Sequence, residues 1–570
     1  MTTMTRVAAA AAAVCCWATW CPAPAAAQVT APAPATAPFP VAIRVDAAHP
    51  GAELQPIWRF FGADEPNYAT MKDGRALLAS LGRLGDSADV AAPQVYFRTH
   101  HLLVTGDGTP ALKWGSTNVY TEDARGRPVY DWTVVDRIFA TYLERGVRPY
   151  VQIGFMPRAL STHPDPYQHA WRPGLPYDDV YTGWAYPPKD WDRWGELVYR
   201  WVRHCVDRFG KAEVERWYWE VWNEPNIGYW KGTREEFYRL HDVAVAAVRR
   251  ALPTARVGGP DVAGSGGAFM RGFLQHELAE KRPLDFVSFH AKGAPTYVDG
   301  HVRMGIAAQL RTVDEGFALV SSFPALKSTP IVIGESDPEG CAACQGPQLG
   351  YRNGTMYASY TAAVFARKHL LAERRGVNLT GALTWAFEFE DQPYFAGFRA
   401  LATNGIELPV LNVHRMMARM GGRRLPVESS GEVPLDSILR SGVRGAPDVS
   451  ALASLAPGKL AVLVWHYHDD DVAGPDADVR LALAGLPAGV TEARVTHWRV
   501  DDRHSNAYAE WKRMGSPLAP TRPQYDRLQQ AARLARLEGA PATVRVDRGS
   551  ATLGFALPRQ GVSLVLLEWR

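Results

Sequence analysis

The sequence predicts an α/β protein that consists of a (β/α)8 TIM barrel and a smaller accessory β-sandwich. Short apolar runs alternate with longer amphipathic stretches through the middle of the chain, which is typical of βα units around a parallel sheet. Eight such units within about 360 residues fit a barrel with enlarged loops. After about residue 424, short apolar runs separated by Gly, Pro and Asp replace the helical patterns and indicate a sandwich.

The predicted barrel strands are the apolar runs at residues 59–62, 95–98, 150–154, 217–222, 256–259, 286–290, 331–335 and 382–386. Amphipathic stretches that predict helices lie between them, such as 134–145, 191–209, 234–252, 305–319 and 357–375. An open, doubly wound sheet is the alternative fold. It usually has a glycine-rich phosphate loop after its first strand, and residues 62–66, Gly-Ala-Asp-Glu-Pro, are not such a loop.

The second domain is predicted from runs at 459–466, 479–483, 494–500, 543–546, 552–555 and 562–569. A further run at 41–45 precedes the barrel and has no obvious partner there. We therefore expect segment 41–57 to contribute a strand to the sandwich of residues 425–570. The barrel would then occupy residues 58–424.

Composition and the N-terminus limit the function classes. The 570 residues carry a net charge of only +3 and have no basic stretch, so nucleic acid is not an expected partner. Residues 1–27 have the pattern of a bacterial-type signal peptide: a positive start, an apolar stretch too short to span a bilayer, and small residues for cleavage. Residues 28–40 form an Ala/Pro-rich linker. We expect export to the periplasm or beyond, with no membrane attachment after cleavage, as a monomer or a homo-oligomer.

Two glutamates stand where a barrel carries its chemistry, at the C-terminal ends of strands. The fourth predicted strand is followed by Asn223 and Glu224, and the seventh ends at Glu335. These strands face each other across a barrel, so the two carboxylates can flank a glycosidic bond. One would protonate the leaving oxygen while the other attacks the sugar carbon, which requires no metal and no organic cofactor. Asp337 and Glu339 compete with Glu335, but the strand end favours Glu335.

Arg98, at the end of the second predicted strand, has two interpretations. It could stabilise the ionised form of Glu335, or it could form a buried ion pair with Glu220.

Two cysteines, Cys341 and Cys344, form a Cys-x-x-Cys motif that can be oxidised to a disulfide in an exported protein, and inert thiols are the alternative. No second such pair and no His cluster accompanies it, so a zinc site is not expected.

These residues resemble a known group of enzymes. The segment Trp222-Asn223-Glu224-Pro225, with a second Glu at the end of the seventh strand, resembles the clan of retaining (β/α)8 glycosidases. Within that clan the chain is similar to glycoside hydrolase family 39, which contains β-xylosidases and α-L-iduronidases. The similarity covers roughly residues 40–570, and its motifs lie at 98–102, 154–157, 285–290, 384–385, 389–391, 397–398 and 504–508.

The resemblance implies that Glu224 is the acid/base and Glu335 the nucleophile. It also implies that Asn223 bonds the sugar 2-hydroxyl, a contact that strengthens in the transition state. Three further side chains would line the sugar subsite nearest the cleavage point: His100, His290 and Trp385. Without the family, each could be a core residue, but their common location at strand ends favours substrate contact. Glu390 either binds sugar hydroxyls or lies on a solvated loop.

The sequence departs from the family in two places. Related glycosidases often have a Tyr two residues after the strand-six His, and this chain has Lys292 there. We expect Tyr297 to support the nucleophile instead and Lys292 to point to solvent. The alternative is that Lys292 favours an acidic sugar such as a uronate. The segment 336–344, which contains the Cys pair, is unlike the usual β-xylosidase sequence and leaves the sugar specificity open.

The predicted function is an exported retaining glycosidase, specifically an exo-β-1,4-xylosidase that acts on xylo-oligosaccharides by double displacement. An α-L-arabinosidase or an α-L-iduronidase-like enzyme with the same mechanism is the alternative. A carbohydrate-binding protein that has lost catalysis is a remote third interpretation, and the presence of both Glu224 and Glu335 argues against it.

Overall fold

The computed structural model describes residues 37–85, 94–110, 114–168, 171–172, 175, 180–385 and 388–570. The predicted signal peptide, most of the predicted linker and Ala386 of the eighth predicted strand lie outside this part of the chain. Within it, no helix is both long and apolar enough to cross a membrane.

Eight parallel strands form a closed barrel, which confirms the predicted fold class. Each strand pairs in parallel with its neighbour in chain order. The eighth strand closes the barrel, because its first part pairs with the seventh strand and its second part with the first. Barrel strands 1 to 8 are Phe60–Ala63, Tyr96–Thr99, Arg148–Ile153, Tyr218–Val221, Arg256–Val262, Phe286–His290, Pro330–Glu335, and the broken strand Asn378–Ala382 with Thr384–Trp385.

One helix follows each strand and packs on the outside of the barrel. Barrel helices 1 to 8 are Lys72–Gly85, Thr133–Glu144, Trp191–Phe209, Arg234–Ala251, Gly267–Ala279, Ile306–Ser321, Thr355–Arg375 and Pro409–Met417. Barrel helix 3 shows why such segments are helical. Its buried residues recur every three or four positions, so one stripe faces the barrel. The Asp190 carboxylate caps its first turn, and Gly210 ends it at a φ of 88°.

The bottom of the barrel is filled with aromatic rings. Phe60 stacks on Tyr96 at 5.2 Å, and Tyr150 stacks on Tyr218 at 4.9 Å. The Tyr150 hydroxyl points upward and donates a 2.7 Å hydrogen bond to Glu220. The interior therefore changes from apolar to charged towards the C-terminal ends of the strands, where the cleft lies.

Two sheets form the accessory sandwich. The first sheet contains, in spatial order, Val427–Ser429, Phe39–Asp46, Ala477–Ala484 and Ala551–Leu557. The second contains Arg423–Leu425, Asp448–Ala456, Lys459–Tyr467, Val562–Glu568 and Glu492–Val500, with the short strands Ala535–Arg536 and Thr543–Arg545 paired to the last of these. The N-terminal strand Phe39–Asp46 runs parallel to Ala477–Ala484, and its Val41, Ile43 and Val45 point into the core between the sheets.

The strand Asp448–Ala456 was not among the predicted runs, although it pairs along its whole length with Lys459–Tyr467. It is rich in Ala and Ser and contains a single β-branched Val, so its intrinsic strand propensity is low. Burial decides its structure instead, since six of its nine residues are buried. The same strand carries Asp448, which accepts a hydrogen bond from Arg367 of barrel helix 7 and thereby joins the two domains.

A pair of helices, Ala507–Arg513 and Arg522–Ala532, extends from the sandwich to the loop after barrel strand 8. Trp511 packs against Phe395 of that loop at 5.0 Å, and the Tyr525 hydroxyl donates to the carbonyl of Asn404. The second domain therefore packs against the loop that follows barrel strand 8.

Replacement of Ile43 by Ala tests how much the N-terminal strand stabilises the sandwich. Ile43 is 1% exposed, so the substitution should leave a cavity and lower the free energy of unfolding by about 2–5 kcal/mol. Urea denaturation measures the change. Arg44→Ala, one residue along on the exposed face, should change stability by no more than about 0.5 kcal/mol. Equal effects of the two substitutions would contradict the inward register of this strand.

Candidate active site

Glu224 lies just beyond barrel strand 4, in a tight turn of the backbone. Trp222 and Glu224 both have positive φ, 70° and 45°, which is uncommon for residues other than glycine. The Glu224 backbone N–H donates to the Asp261 carbonyl at 2.8 Å, which ties this turn to the end of barrel strand 5. Strained backbone of this kind concentrates at functional sites. The turn aims the Glu224 carboxylate into the cleft, where 17% of the side chain is exposed.

Glu335 ends barrel strand 7 on the opposite side of the cleft and is almost fully buried. One of its carboxylate oxygens lies within 4.8 Å of a carboxylate oxygen of Glu224. Retaining glycosidases hold their two carboxyl groups about 5–5.5 Å apart, whereas inverting ones need about 6.5–9.5 Å to admit a water molecule. The spacing of this pair therefore matches direct attack by one carboxylate on a sugar.

Basic side chains surround Glu335. Its Oε2 is 2.8 Å from Lys292 Nζ, and its Oε1 is 3.6 Å from Arg98 Nη1 and 3.8 Å from His290 Nδ1. Burial opposes ionisation of Glu335, but these charges outweigh burial, chiefly those of His290 and Lys292, and hold its pKa well below the usual range. Glu335 is therefore a carboxylate at neutral pH.

Lys292 does not point to solvent as expected. Its ammonium group bridges Glu335 and Asp337, with distances of 2.8 Å and 3.0 Å. A cation can be buried here because two carboxylates face it. Tyr297, predicted to support the nucleophile, is instead 50% exposed on the hairpin Thr296–Val298 with His301–Arg303. Among the described contacts of Glu335, the basic group nearest to it is that of Lys292.

Arg98 lies close to both of the partners that the sequence analysis named, Glu220 and Glu335. Its Nε donates to Glu220 at 2.5 Å, and it also contacts the carboxylate of Asp261. It lies 3.6 Å from Glu335 as well. The guanidinium is fully buried, and the surrounding carboxylates outweigh that burial and raise its pKa further. Burial also raises the pKa of Glu220 to about 7, although Arg98 opposes this.

His290, at the end of barrel strand 6, connects three acidic groups. Its Nδ1 is 2.7 Å from Glu224 Oε1, and its Nε2 is 2.8 Å from Asp261 Oδ2. Burial lowers the pKa of His290, but the charges of Asp261, Glu335 and Glu224 outweigh it and raise the pKa to about 10. Both ring nitrogens can then donate to a carboxylate at once, which only the imidazolium form allows.

Asp261 was not found from the sequence. It follows Gly258-Gly259-Pro260 near the end of barrel strand 5, whereas the predicted strand stopped at residue 259. The signal that identifies Glu224 and Glu335, an acidic residue at a strand end, applies to Asp261 once the strand is extended. Asp261 is completely buried, and its pKa is lowered because Arg98 and His290 outweigh the effect of burial.

Three other predicted site residues are brought to the same cleft. Asn223 is buried, its carbonyl oxygen accepts from Arg98, and its amide nitrogen has no hydrogen-bond partner among the described residues. The His100 ring lies 4.8 Å from the Trp385 ring, and its Nε2 faces Arg98 at 2.7 Å. Burial and the charge of Arg98 lower the pKa of His100, so its Nε2 accepts that hydrogen bond.

Glu390, a further predicted site residue, contacts the start of barrel helix 1. Its Oε1 accepts hydrogen bonds from the backbone N–H groups of Asp73 and Gly74, at 2.5 Å and 3.1 Å, in the first turn of barrel helix 1. A carboxylate in this position satisfies free N–H groups and complements the positive end of the helix. At least one oxygen of Glu390 therefore serves the fold and is not available to a sugar.

The loop after Glu335 is rigidly held. Asp337 accepts a hydrogen bond of 2.7 Å from the backbone N–H of Trp385 and faces Lys292 and Arg399. Asp337, the alternative to Glu335 in the sequence, is thus occupied by contacts within the protein. A disulfide joins Cys341 to Cys344. Arg352, also buried, donates to the carbonyls of both cysteines. These contacts fix the rim of the cleft on the strand 7 side.

A closed (β/α)8 barrel whose mouth holds two opposed carboxylates at this spacing defines a glycosidase. The chain belongs to the glycosyl hydrolases family 39, whose sequence model matches residues 41–546. The family resemblance predicted from the motifs is thus confirmed.

Individual relatives include both activities of the family. The chain is 27% identical to a β-xylosidase of Geobacillus stearothermophilus, over 83% of this chain and 86% of the relative. It is 26% identical to the α-L-iduronidase of Mus musculus, over 92% of this chain and 80% of the relative. Among solved structures, the fold is shared with a monomeric β-xylosidase from Caulobacter crescentus CB15, with a TM-score of 0.72 and 22% identity over 92% of this chain and 99% of that one.

Replacement of Lys292 by Met tests the electrostatic control of Glu335. Loss of the charge 2.8 Å away should raise the pKa of Glu335, because an adjacent cation lowers a carboxyl pKa by about 1–3. The acid limb of the kcat/KM profile should then move upward by about one pH unit or more. Lys292→Arg keeps the charge and should leave that limb close to its original position. An unchanged acid limb in Lys292→Met would show that Lys292 does not control this ionisation.

Proposed function

We propose that the protein is an exported retaining glycosidase in which Glu335 is the nucleophile and Glu224 the acid/base. The observation that carries the proposal is the asymmetry of a closely spaced pair: basic groups hold the pKa of Glu335 low, while Glu224 is more exposed and bonded to His290. Two carboxyl groups in different environments are what double displacement requires. The predicted signal peptide, residues 1–27, would direct the enzyme to the periplasm or outside the cell.

In the first step, ionised Glu335 attacks the anomeric carbon while Glu224 gives its proton to the departing glycosidic oxygen. The bond between that carbon and the leaving oxygen breaks, and an ester bond to Glu335 forms. Since Glu224 Oε1 accepts from His290 Nδ1, the transferred proton belongs to Oε2. The free Asn223 amide nitrogen is placed to donate to the sugar 2-hydroxyl, a contact worth most in the transition state.

In the second step, Glu224, now a carboxylate, removes a proton from a water molecule that attacks the same carbon. The ester bond to Glu335 breaks, and Glu224 is again protonated, so the enzyme returns to its starting state. The cations beside Glu335 favour its departure as a carboxylate. Two inversions give net retention of anomeric configuration.

For the sugar, the leading proposal is β-linked xylose, released singly from xylo-oligosaccharides. The support is similarity: two bacterial relatives, at 27% and 25% identity, are β-xylosidases. An α-L-arabinosidase would use the same carboxylates and stays a further alternative. The immobilised rim at the disulfide, next to Glu335, is compatible with a pocket that ends at one sugar.

An acidic sugar is the second candidate, and one observation favours it. Lys292 Nζ has three donor hydrogens, and two of them face Glu335 and Asp337. The side chain is 17% exposed, so the third hydrogen can reach a carboxylate on a bound uronate. Some relatives of the chain are α-L-iduronidases, which supports a uronate as the sugar. The mechanism would be the same double displacement.

Replacement of each glutamate by Ala tests the mechanism. With nitrophenyl glycosides, Glu335→Ala should lower kcat by at least about 10⁴-fold because no nucleophile remains, and added azide should restore turnover to a glycosyl azide of inverted configuration. Glu224→Ala should cost about 10²–10⁴-fold, least for glycosides with good leaving groups. Glu280→Ala, on the outer surface, is the control. Full activity in Glu335→Ala, or an inverted first product by proton NMR of the wild type, would refute the assignment.

A comparison of aryl β-xylosides with aryl iduronides decides between the two sugar classes. A xylosidase should have a kcat/KM for the xyloside at least about 10²-fold higher than for the iduronide. At a pH where Glu335 is fully ionised, Lys292→Met should then change kcat/KM for both substrates by the same factor. A uronidase should show the opposite preference, and Lys292→Met should abolish most of that preference by raising KM for the uronide alone. Lys292→Arg is the matched control that keeps the charge.

A further inference from the structure

A second cluster of ligand-type side chains lies outside the cleft, on the outer wall of the barrel. His241 and Asp242 belong to barrel helix 4, and Glu277 belongs to barrel helix 5. One potential ligand atom from each of the three lies within 4.8 Å of the others. The proposed glycosidase mechanism uses none of these residues.

Two members of this cluster are buried without the hydrogen bonds that burial demands. His241 is 0% exposed and Glu277 is 2% exposed. Among the described residues, neither ring nitrogen of His241 and neither carboxylate oxygen of Glu277 has a hydrogen-bond partner. Polar groups buried in this way are costly, so something is expected to satisfy them.

The separation of the atoms fits a shared metal ion. His241 Nδ1 and Glu277 Oε1 are 3.1 Å apart, but their geometry is not that of a hydrogen bond. Two ligand atoms on one tetrahedral Zn²⁺, with bonds of about 2.1 Å, are about 3.4 Å apart. Small side-chain adjustments would therefore place both on one ion.

The third ligand is already oriented by its neighbours. Asp242 Oδ2 is held by His276 Nε2 at 3.1 Å and by Arg282 Nη2 at 3.2 Å. Its other oxygen, Oδ1, is buried and has no hydrogen-bond partner in the described part of the chain. Outer contacts of this kind fix a ligating group and leave one lone pair free for the metal.

We propose that His241, Asp242 and Glu277 form a Zn²⁺ site that ties barrel helix 4 to barrel helix 5. Imidazole with carboxylates suits Zn²⁺, whereas Ca²⁺ and Mg²⁺ prefer all-oxygen sites. Asp242 is partly exposed, which gives the ion an entry path from solvent and room for a water molecule as fourth ligand. The site's role is structural, because it lies behind barrel strand 5 and against Gly259 rather than in the cleft.

The sequence prediction of no zinc site rested on the absence of a second Cys pair and of a nearby His cluster. A search for clusters along the sequence does not find the proposed ligands, because Glu277 lies on a different helix from His241 and Asp242. A competing location also exists, since Glu224, His290 and Glu335 meet within 4.8 Å as well. Those three groups are already engaged with one another and with Lys292 and Asp261.

Zinc binding to the chelator-treated, full-length enzyme tests the proposal. Wild type should bind one equivalent of Zn²⁺ in equilibrium dialysis against micromolar ZnCl₂, and its Tm should rise, because an ion that binds only the folded state stabilises it. Millimolar Mg²⁺ should not displace the ion. His241→Gln and Glu277→Gln should lose that equivalent and the rise in Tm. Arg282→Gln should weaken binding by about 10–100-fold through Asp242.

Glu335→Gln distinguishes the two locations, since it should keep the bound equivalent while losing glycosidase activity. His241→Gln should keep glycosidase activity, so failure of the zinc proposal is separable from failure of the proposed function. If His241→Gln or Glu277→Gln does not fold, Asp242→Asn is used in its place. It should weaken zinc binding at least tenfold. Absence of zinc binding in the wild type, equal binding in wild type and all the cluster variants, or loss of zinc in Glu335→Gln alone would each overturn the proposal.

Discussion

The buried guanidinium of Arg98 is the contact on which the cleft depends. It bonds Glu220, Asp261, Asn223 and His100 and lies 3.6 Å from Glu335. Charges this deep are tolerated only as a set, and removal of one partner of a buried pair costs about 3–5 kcal/mol. Arg98 therefore holds the cleft together in addition to lowering the pKa of Glu335. It sits between the aromatic layer below and the reactive carboxylates above, and it joins the ends of barrel strands 2, 4, 5 and 7.

The charges above Arg98 are arranged so that two glutamates behave differently. Glu335 is enclosed by Lys292, His290 and Arg98, and the energy of these contacts favours its ionised form. Glu224 meets only one of these cations closely, through His290, and retains contact with solvent. Asp261 holds His290 from behind. The different surroundings of the two carboxyl groups thus depend on buried residues behind them, Arg98 and Asp261 among them.

The sequence predicted the barrel and the positions of Glu224 and Glu335, because strand periodicity and strand ends are local signals. It did not predict the orientation of Lys292, since the direction of a loop side chain depends on what faces it, and Asp337 lies 45 residues away. Asp261 was missed because the strand was ended too early, at Gly259. Glu390 was left open between sugar binding and a solvated loop, and neither alternative includes its bonds to backbone N–H groups of barrel helix 1, which no motif reveals. The strand Asp448–Ala456 was missed because tertiary burial overrides its weak propensity.

The position of the strand Phe39–Asp46 has a consequence for how the chain folds. Ala42 bonds Ser430, 388 residues later, and the strand's parallel partner Ala477–Ala484 comes later still. During synthesis the N-terminal strand is made first, and its partner strand is made only after the whole barrel and half of the sandwich. During that time its alternating apolar side chains and unpaired edge are open to wrong pairings. Because pairings at such sequence distance form slowly, we expect the sandwich to be completed after the barrel has closed.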